Sequence, residues 1–251
     1  MKVSVITVCR NSETSIEEAI CSVMEQTHPD IEHIVIDGKS TDGTLAIIEK
    51  HRDRISKFVS EKDEGIYFAL NKGIALATGD VVGILHSDDF YAHKNVISRV
   101  VEEFEKTKTD TVYGNLQYVS KADPQKVFRH WVSSSFEPKR FLNGWMPPHP
   151  TFFLKRKYYT QFGSFNTSFS ISADYELMLR FLYKHQLSAS YIPEVFVKMR
   201  TGGVSNVWLT NRLKANREDR LAWKVNGLKA GNLTLLLKPL SKLRQFLKKG
   251  G

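Results

Sequence analysis

Apolar and polar residues alternate along the first 85 positions in blocks of two kinds. Short β-branched runs at 3–8, 34–37, 57–60 and 81–85 are typical of buried strands. Between them, apolar residues recur at helical spacing over 16–24, 44–51 and 67–77, with Glu17 and Glu18 in the first turn of the first segment. Strands that alternate with helices in this way predict an α/β fold with a mostly parallel, Rossmann-like sheet flanked by helices.

After about position 110 the pattern becomes less regular. We predict a hairpin near 113–119, a loop rich in Ser and Pro, and an apolar strand at 151–154. A long helix over 173–184 and two short strands near 191 and 195 follow. We place a boundary between 201 and 205, so the chain is predicted to hold one domain over 1–205 and a basic helical tail over 206–251.

Charge is distributed unevenly along the chain. The net charge is +9, yet 13 Lys and Arg against 2 Asp and Glu lie from Lys198 onward, which leaves the body near neutral. Leucines recur every three or four residues from Leu233, with lysines on other faces and Pro239 as a break. Charge alone suits nucleic acid and an anionic membrane equally, whereas the leucine spacing favours a helix at a membrane surface. The alternative is a helix packed on the body with its lysines in water.

Cysteines and apolar runs bear on the cellular location. Cys9 and Cys21 are too few for a disulfide framework and lie outside any metal-ligand spacing, which fits a reducing cytosolic compartment. Nowhere do 18 apolar residues run together, so no membrane span or signal peptide is predicted. Basic patches interleaved with aromatic residues are weak in the body, which argues against a nucleic-acid partner.

Polar residues follow three of the predicted strands at the point where each strand ends. They are the segments 7–11, 37–43 (DGKSTDG) and 86–89 (HSDD). Because ligands of open α/β sheets bind outside the carboxyl ends of the strands, we expect these clusters to meet at one edge. The segment 37–43 alone is equally consistent with a turn and a helix cap. A P-loop is excluded because position 33, where that motif needs glycine, is His, and no GxGxxG follows the first strand.

Two adjacent acids, Asp88 and Asp89, come directly after the buried run VVGIL. Neighbouring carboxylates repel each other unless a cation or hydrogen-bond donors lie between them. Mg²⁺ and Mn²⁺ take oxygen ligands and commonly join one carboxylate to the phosphates of a substrate. The pair therefore predicts a site for a metal and a diphosphate, and the alternative is a pair that caps the helix beginning near Lys94.

Four motifs stand in order along residues 1–205: VSVITVCRNSETSIEEAICSVMEQT, IVIDGKSTDGT, NKGIALATGDVVGILHSDD, and GSFN followed by ADYELMLR. Together they resemble the family 2 glycosyltransferases of GT-A fold found in bacterial surface-polysaccharide assembly. The resemblance implies a GT-A domain that binds a nucleotide-sugar donor and Mn²⁺ or Mg²⁺. It does not extend to the tail.

Carried over position by position, the resemblance also implies roles for single residues. It implies a metal ligand in Asp89, a catalytic base in Asp174, and a set of donor contacts made by Thr7, Asn11, Asp37, Lys72 and Asp88. The sequence departs from the family pattern at three positions. Ala173 stands in place of the first acid of a Glu-Asp pair, Lys39 in place of a common glycine, and Phe68 where relatives often carry Asp.

These roles fit the chemistry of glycosyl transfer with inversion of configuration. A nucleoside diphosphate leaves without protonation, and one carboxylate suffices to take the proton of the acceptor hydroxyl. We expect a UDP-sugar donor and a polysaccharide or lipid-linked oligosaccharide acceptor, used in the cytoplasm or at the inner face of the membrane. His149 and Trp145 are candidates for a sugar or acceptor contact, or are packed side chains. The alternatives are a sugar-phosphate nucleotidyltransferase and a non-catalytic nucleotide-sugar binding protein.

Overall fold

The computed structural model describes residues 1–200 and 209–229. Its first half repeats strand and helix in the predicted order: β1 (Val3–Cys9), α1 (Ile16–Met24), β2 (Ile31–Asp37), α2 (Thr44–Lys50), β3 (Lys57–Ser60), α3 (Ile66–Leu76) and β4 (Val81–Ile84). These four strands are parallel and lie in the order β3-β2-β1-β4. The predicted elements of this half are confirmed to within three residues at each end.

The second half builds the rest of the same sheet. Its elements are β5 (Asp89–Tyr91), α4 (Val96–Thr107), β6 (Thr111–Val119), β7 (Val127–Trp131), β8 (Phe153–Lys155), α5 (Lys157–Phe162), α6 (Ala173–Met178), β9 (Ala189–Arg200) and α7 (Leu209–Val225). Strand β8 is antiparallel to both of its neighbours, β4 and β6. Strand β9 lies between β6, to which it is parallel, and β5, to which it is antiparallel. The predicted long helix is confirmed, and its second half, Leu179–Lys184, is a π-helix.

Two predictions about the second half need correction. The segment predicted as a hairpin, 113–119, is the first strand of one, because it lies within β6 and the return strand is β7. The two short strands predicted near 191 and 195 are one strand, β9. Pro193 separates the two apolar runs in the sequence. The pairing with β6 shifts register between Tyr113 and Asn115, opposite Pro193, so a bulge absorbs the proline and the strand continues.

Close packing fixes α3 against the sheet. Gly73 lies so near β1 that a Cβ at this position would be 2.4 Å from Ile6 Cγ2. Only glycine permits this approach, which brings the polar face of α3 to the edge where the strands end. Lys72, which precedes Gly73 on α3, is thereby placed beside the loop that follows β3.

The helix α7 packs on the body. Ala222 and Trp223 are 0% and 1% exposed, and the indole Nε1 of Trp223 donates to the Tyr175 hydroxyl at 2.9 Å. The predicted boundary at 201–205 and the leucine-rich segment from Leu233 lie outside the described residues. Among the described helices, none is both long and apolar enough to cross a bilayer.

Candidate active site

The loops that follow β1 and β2 are joined to each other by hydrogen bonds. The Asn11 amide donates to Ser40 Oγ at 2.8 Å, and Asn11 Oδ1 accepts the Thr41 amide at 2.9 Å. The Ser12 amide donates to Thr44 Oγ1 at 2.7 Å. Asn11 adopts the left-handed conformation (φ 50°), which Asn tolerates better than most residues. The predicted convergence of these two clusters is therefore seen in the structure.

Two of the predicted donor residues lie beneath these loops. Asp37 is fully buried, and its carboxylate accepts bonds from the Ser40 amide at 3.0 Å and the Ser60 hydroxyl at 2.6 Å. Thr7 is also fully buried, and its hydroxyl lies 3.0 Å from His33 Nε2. Burial lowers the pKa of His33 to about 4, so this imidazole is neutral near pH 7. Asp37 therefore supports the loop after β2 from below, and Thr7 joins β1 to β2.

Lys72 lies at the same edge but is paired with two acids that sequence reasoning missed. Its Nζ is 2.6 Å from Asp63 Oδ1 and 2.5 Å from Glu61 Oε1. Burial alone would lower the pKa of Lys72, and the bonds to Asp63 and Glu61 outweigh it and raise the pKa. The second oxygen of Asp63 is buried without a hydrogen-bond partner. No signal in the sequence sets Asp63 apart from the other acids of this charged loop.

The acid pair at the start of β5 has a different environment. Asp89 is fully buried, and neither of its carboxylate oxygens makes a hydrogen bond of good geometry. Burial and the neighbouring Asp88 raise the pKa of Asp89 well above its ordinary value, and the backbone amide and the charge of Arg200 oppose this increase. Asp88 is only partly buried. A hydrogen bond of 2.9 Å between Ser87 Oγ and Ser12 Oγ ties this turn to the loop after β1.

The helix-cap alternative for this pair is wrong. Asp89 is the first residue of a strand, and α4 begins at Val96 with Asn95 at its N-cap position. A buried carboxylate without well-formed hydrogen bonds fits a cation, because a divalent ion would hold it ionised and supply the missing contacts. No group of three or more His, Cys, Asp or Glu within the described ranges could hold a metal by itself. Asp88 and Asp89 would therefore hold it together with ligands from substrate or water.

Across from this pair, Asp174 is bonded to His149. The His149 Nδ1 lies 3.1 Å from Asp174 Oδ2, and the side chains are 31% and 23% exposed, so both remain accessible. The His149 ring meets the His86 ring edge-on, at 6.0 Å between centroids. Burial, and next the charge of His149, lower the pKa of His86 to about 4. Three distant segments, at 86, 149 and 174, are thus brought into contact.

Tyr118 links the two acidic groups. It lies on β6, and burial raises the pKa of its hydroxyl. The charges of Asp89 and Asp174 add to this increase, and that of Arg129 opposes it. Both carboxylates therefore lie within electrostatic range of this phenol. Tyr118 belongs to an ordinary strand pattern, so the sequence gives no reason to single it out.

Trp145 is placed by packing. Its ring contacts those of Tyr113, Phe136 and Phe141, with centroid distances of 6.0–6.2 Å. Aromatic rings at these separations and angles stabilise a core. Packing thus fixes the partly buried Trp145 ring, and a sugar or acceptor contact by Trp145 or His149 stays a prediction.

Comparison with known proteins identifies the class of enzyme. The model of glycosyl transferase family 2 matches residues 4–184. An uncharacterized glycosyltransferase of Mycobacterium tuberculosis is 32% identical over 182 residues, which cover 71% of this chain and 68% of the relative. A PGL/p-HBAD biosynthesis glycosyltransferase of Mycobacterium bovis is 28% identical over 208 residues, 81% of this chain and 78% of the relative. The chain belongs to glycosyl transferase family 2 and is a glycosyltransferase.

Solved structures of similar shape confirm the GT-A fold. S. aureus TarS 1–349 superposes with a TM-score of 0.71 at 18% identity, over 100% of this chain and 76% of TarS 1–349. In its complex with UDP-GlcNAc, the same protein gives a TM-score of 0.67 at 18% identity, over 90% and 65% of the two chains. The mannosyltransferase PcManGT from Pyrobaculum calidifontis, in complex with GDP-Man and Mn²⁺, gives 0.65 at 19% identity, over 96% and 69%. A longer TarS chain is covered to only 43% of its length.

Proposed function

We propose that this glycosyltransferase is metal-dependent and inverting, and that it moves a sugar from a nucleoside diphosphate, most simply UDP, to a polysaccharide or lipid-linked oligosaccharide. One observation carries the proposal. The accessible Asp174 contacts His149 at 3.1 Å, and the His149 ring contacts His86, which lies in the same turn as the buried Asp89. A transferase of this kind needs one carboxylate for a metal and one for a proton.

The donor is held by the interlocked loops. Asn11 joins the two loops, Asp37 fixes the loop after β2 through Ser40, and Thr7 lies buried on β1 beside them. Lys72, with Asp63 and Glu61, lies beside the end of β3 and forms the other wall. Backbone amides and hydroxyls in these loops suit the ribose and base of a nucleotide. The complexes of TarS with UDP-GlcNAc and UDP support a uridine nucleotide here.

Asp88 and Asp89 would hold the metal, and Mn²⁺ or Mg²⁺ would neutralise the charge that develops on the departing diphosphate. The chain contributes a rigid, buried ligand in Asp89 and a more accessible one in Asp88. The complex of PcManGT with GDP-Man and Mn²⁺ supports a metal of this kind.

Asp174 takes the proton of the acceptor hydroxyl. As the acceptor oxygen forms its bond to the anomeric carbon, the bond from that carbon to the diphosphate oxygen breaks on the opposite face. The electron pair leaves with the nucleoside diphosphate, and the configuration inverts. His149 donates from Nδ1 to one oxygen of Asp174 and leaves the other free to accept the proton. His149 is then a partner of the base and borders the acceptor.

The C-terminal segment supports a membrane surface as the place where the acceptor binds. Residues 230–251 contain five Lys or Arg and no acid. Each basic residue near an anionic leaflet contributes about 1 kcal/mol, so five would give salt-sensitive binding to the inner face of a membrane. Truncation after Gly231 should release the protein from liposomes with acidic lipid and leave donor hydrolysis unchanged. Equal binding of the full and truncated chains would refute this part of the proposal.

The proposal is tested by a thermal-shift panel. UDP, GDP, UDP-glucose, UDP-galactose, UDP-N-acetylglucosamine and GDP-mannose are each added with Mn²⁺ and with EDTA. We expect UDP and at least one of the UDP-sugars to raise the melting temperature with Mn²⁺ and to have little effect on it with EDTA. The same protein with Asp89→Asn should lose the Mn²⁺-dependent increase. Absence of any nucleotide effect in the presence of Mn²⁺ would contradict the proposal.

A further inference from the structure

The N-terminus of the helix that carries Asp174 is held by a residue from the far end of the described chain. Glu218 lies on α7 and is 8% exposed. Its Oε2 accepts the amides of Ile171 at 2.9 Å and Ser172 at 2.8 Å, and its Oε1 accepts the Ser170 hydroxyl at 2.6 Å. The Ser170 amide lies 3.1–3.2 Å from the two oxygens. One buried carboxylate thus gathers three successive amides just before α6.

These bonds explain how a buried acid is tolerated. Burial alone would raise the pKa of Glu218, and the bonds from Ser170, Ser172 and Ile171 outweigh it and lower the pKa. Ser172 occupies the N-cap position of α6, and its own side chain makes no capping bond. Glu218 therefore takes the place of a local cap and satisfies amides that would otherwise be unpaired.

Two more contacts from α7 hold the residues that follow Asp174. Trp223 Nε1 donates to the Tyr175 hydroxyl at 2.9 Å, and Asn226 Nδ2 donates to Glu176 Oε1 at 3.0 Å. Asp174 stands between the turn that Glu218 holds and these two residues. The family model ends at residue 184, so α7 lies beyond the stretch that this model matches.

We propose that Glu218 is a positioning residue for Asp174, so that α7 is a working part of the active site. This inference rests on the proposed function, in which Asp174 is the base. A carboxylate displaced by about 1 Å from its productive place can lose about 10²-fold in rate. The segment 170–172 belongs to no strand or helix, so its path depends on the bonds that Glu218 accepts.

The test is Glu218→Gln, which keeps the shape and volume of the side chain. Its NH₂ group cannot accept the hydrogen bonds that Ser170, Ile171 and Ser172 now donate to the carboxylate. The assay is Mn²⁺-dependent release of UDP from the UDP-sugar of the panel that the wild-type protein hydrolyses. We expect kcat to fall by about 10- to 100-fold. The KM for that UDP-sugar and the Kd for UDP should change by less than about 2-fold, because the donor loops lie elsewhere. Ser170→Ala removes one bond and should lower kcat by a smaller factor.

A control and a double variant separate positioning from general destabilisation. Ile97→Val weakens the core at α4, away from the site, and should leave kcat unchanged at the assay temperature. In the Asp174→Asn background, Glu218→Gln should lower kcat by less than about 2-fold, since the base it positions is already lost. If Glu218→Gln does not fold, Ser170→Ala and its combination with Asp174→Asn decide the question.

Each failure points to a different part of the account. Wild-type kcat in a folded Glu218→Gln protein overturns the inference, and so does an equal loss in the Asp174→Asn background. If Ser170→Ala has to decide, wild-type kcat in that variant overturns it as well. Wild-type hydrolysis in Asp174→Asn alone would instead overturn the proposed role of Asp174 as the base, and with it this inference.

Discussion

The two sides of the candidate site each contain a buried carboxylate, and the hydrogen bonding of the two carboxylates differs. Beneath the donor loops, Asp37 is fully buried and its carboxylate has partners in Ser40 and Ser60. At the start of β5, Asp89 is equally buried and neither oxygen makes a hydrogen bond of good geometry. A buried carboxylate without well-formed hydrogen bonds is expensive for the folded state, so its presence indicates a use that the fold alone does not explain.

The contrast distinguishes residues that shape the site from residues that do chemistry. Satisfied groups such as Asp37, which holds a loop, and Thr7, which joins two strands, should matter mainly to folding and donor affinity. The unsatisfied Asp89 and the accessible Asp174 should matter to metal binding and turnover. Natural enzymes often keep such destabilised groups at their active sites.

The largest effect should come from Asp174. Asp174→Asn preserves the shape of the side chain and removes the base, so turnover should fall by about 10² to 10⁴-fold with UDP binding nearly unchanged. The measurement is UDP release alongside calorimetric UDP binding. Asp110→Asn, a carboxylate bonded to Ser188 and Tyr158 far from the acid pair, is the control and should keep wild-type turnover. Near wild-type turnover in Asp174→Asn would remove Asp174 from the mechanism.

The comparison between the two buried acids can be tested in the metal-free protein. Because the folded-state pKa of Asp89 is raised, ionisation at pH 7 opposes folding, and Asp89→Asn should increase the free energy of unfolding by about 1–3 kcal/mol. Asp37→Asn should decrease it by a similar amount, because amide hydrogens would face the donors that the carboxylate now accepts. Urea denaturation in EDTA measures both. A change of the same sign in the free energy of unfolding of both variants would contradict the difference between Asp37 and Asp89.

The donor side should also be sensitive to acid through His33. Its folded-state pKa of about 4 lies below the unfolded value, so the unfolded chain binds a proton first as the pH falls. The contribution of His33 to the free energy of unfolding is therefore fully present above about pH 6.5 and is lost as the pH falls from about 6.5 to 4. From pH 7 to pH 5 this contribution should decrease by about 2 kcal/mol. Urea titrations at the two pH values should show a smaller decrease in His33→Gln. The partly exposed His28 provides the control, and His28→Gln should retain the wild-type difference.

The smallest effect concerns Lys39, which is exposed and left-handed at φ 59° where family members commonly have glycine. Lys39→Gly should relieve this conformation and raise the free energy of unfolding by about 0.5–1 kcal/mol, with UDP affinity unchanged within about 2-fold. Lys108→Gly, at the left-handed end of α4 with φ 57°, should stabilise the protein similarly. Loss of UDP affinity in Lys39→Gly alone would show that the lysine itself contacts the donor.

The sequence predicted the first half of the sheet well because each strand there is followed by its own helix, so the pattern is local. It predicted the second half less well because β9 pairs with β5 and β6, which lie far away in the sequence. In addition, a bulge lets β9 continue through Pro193, a residue that normally indicates the end of a strand. The candidate acids were found because Asp88, Asp89 and Asp174 follow motifs. The partners His149 for Asp174 and Glu218 for the turn before it come from sequence distances that no local pattern reports.

The central claim is that Asp88 and Asp89 bind a nucleoside diphosphate through a divalent metal. Titration calorimetry of UDP into the full-length protein, with Mn²⁺ and then with EDTA, tests it most directly. The account predicts binding at least about tenfold tighter with Mn²⁺, since the two carboxylates and the two phosphates repel each other without a cation between them. It also predicts that Asp89→Asn removes the difference. Equal UDP affinity in Mn²⁺ and in EDTA for the wild-type protein would contradict it.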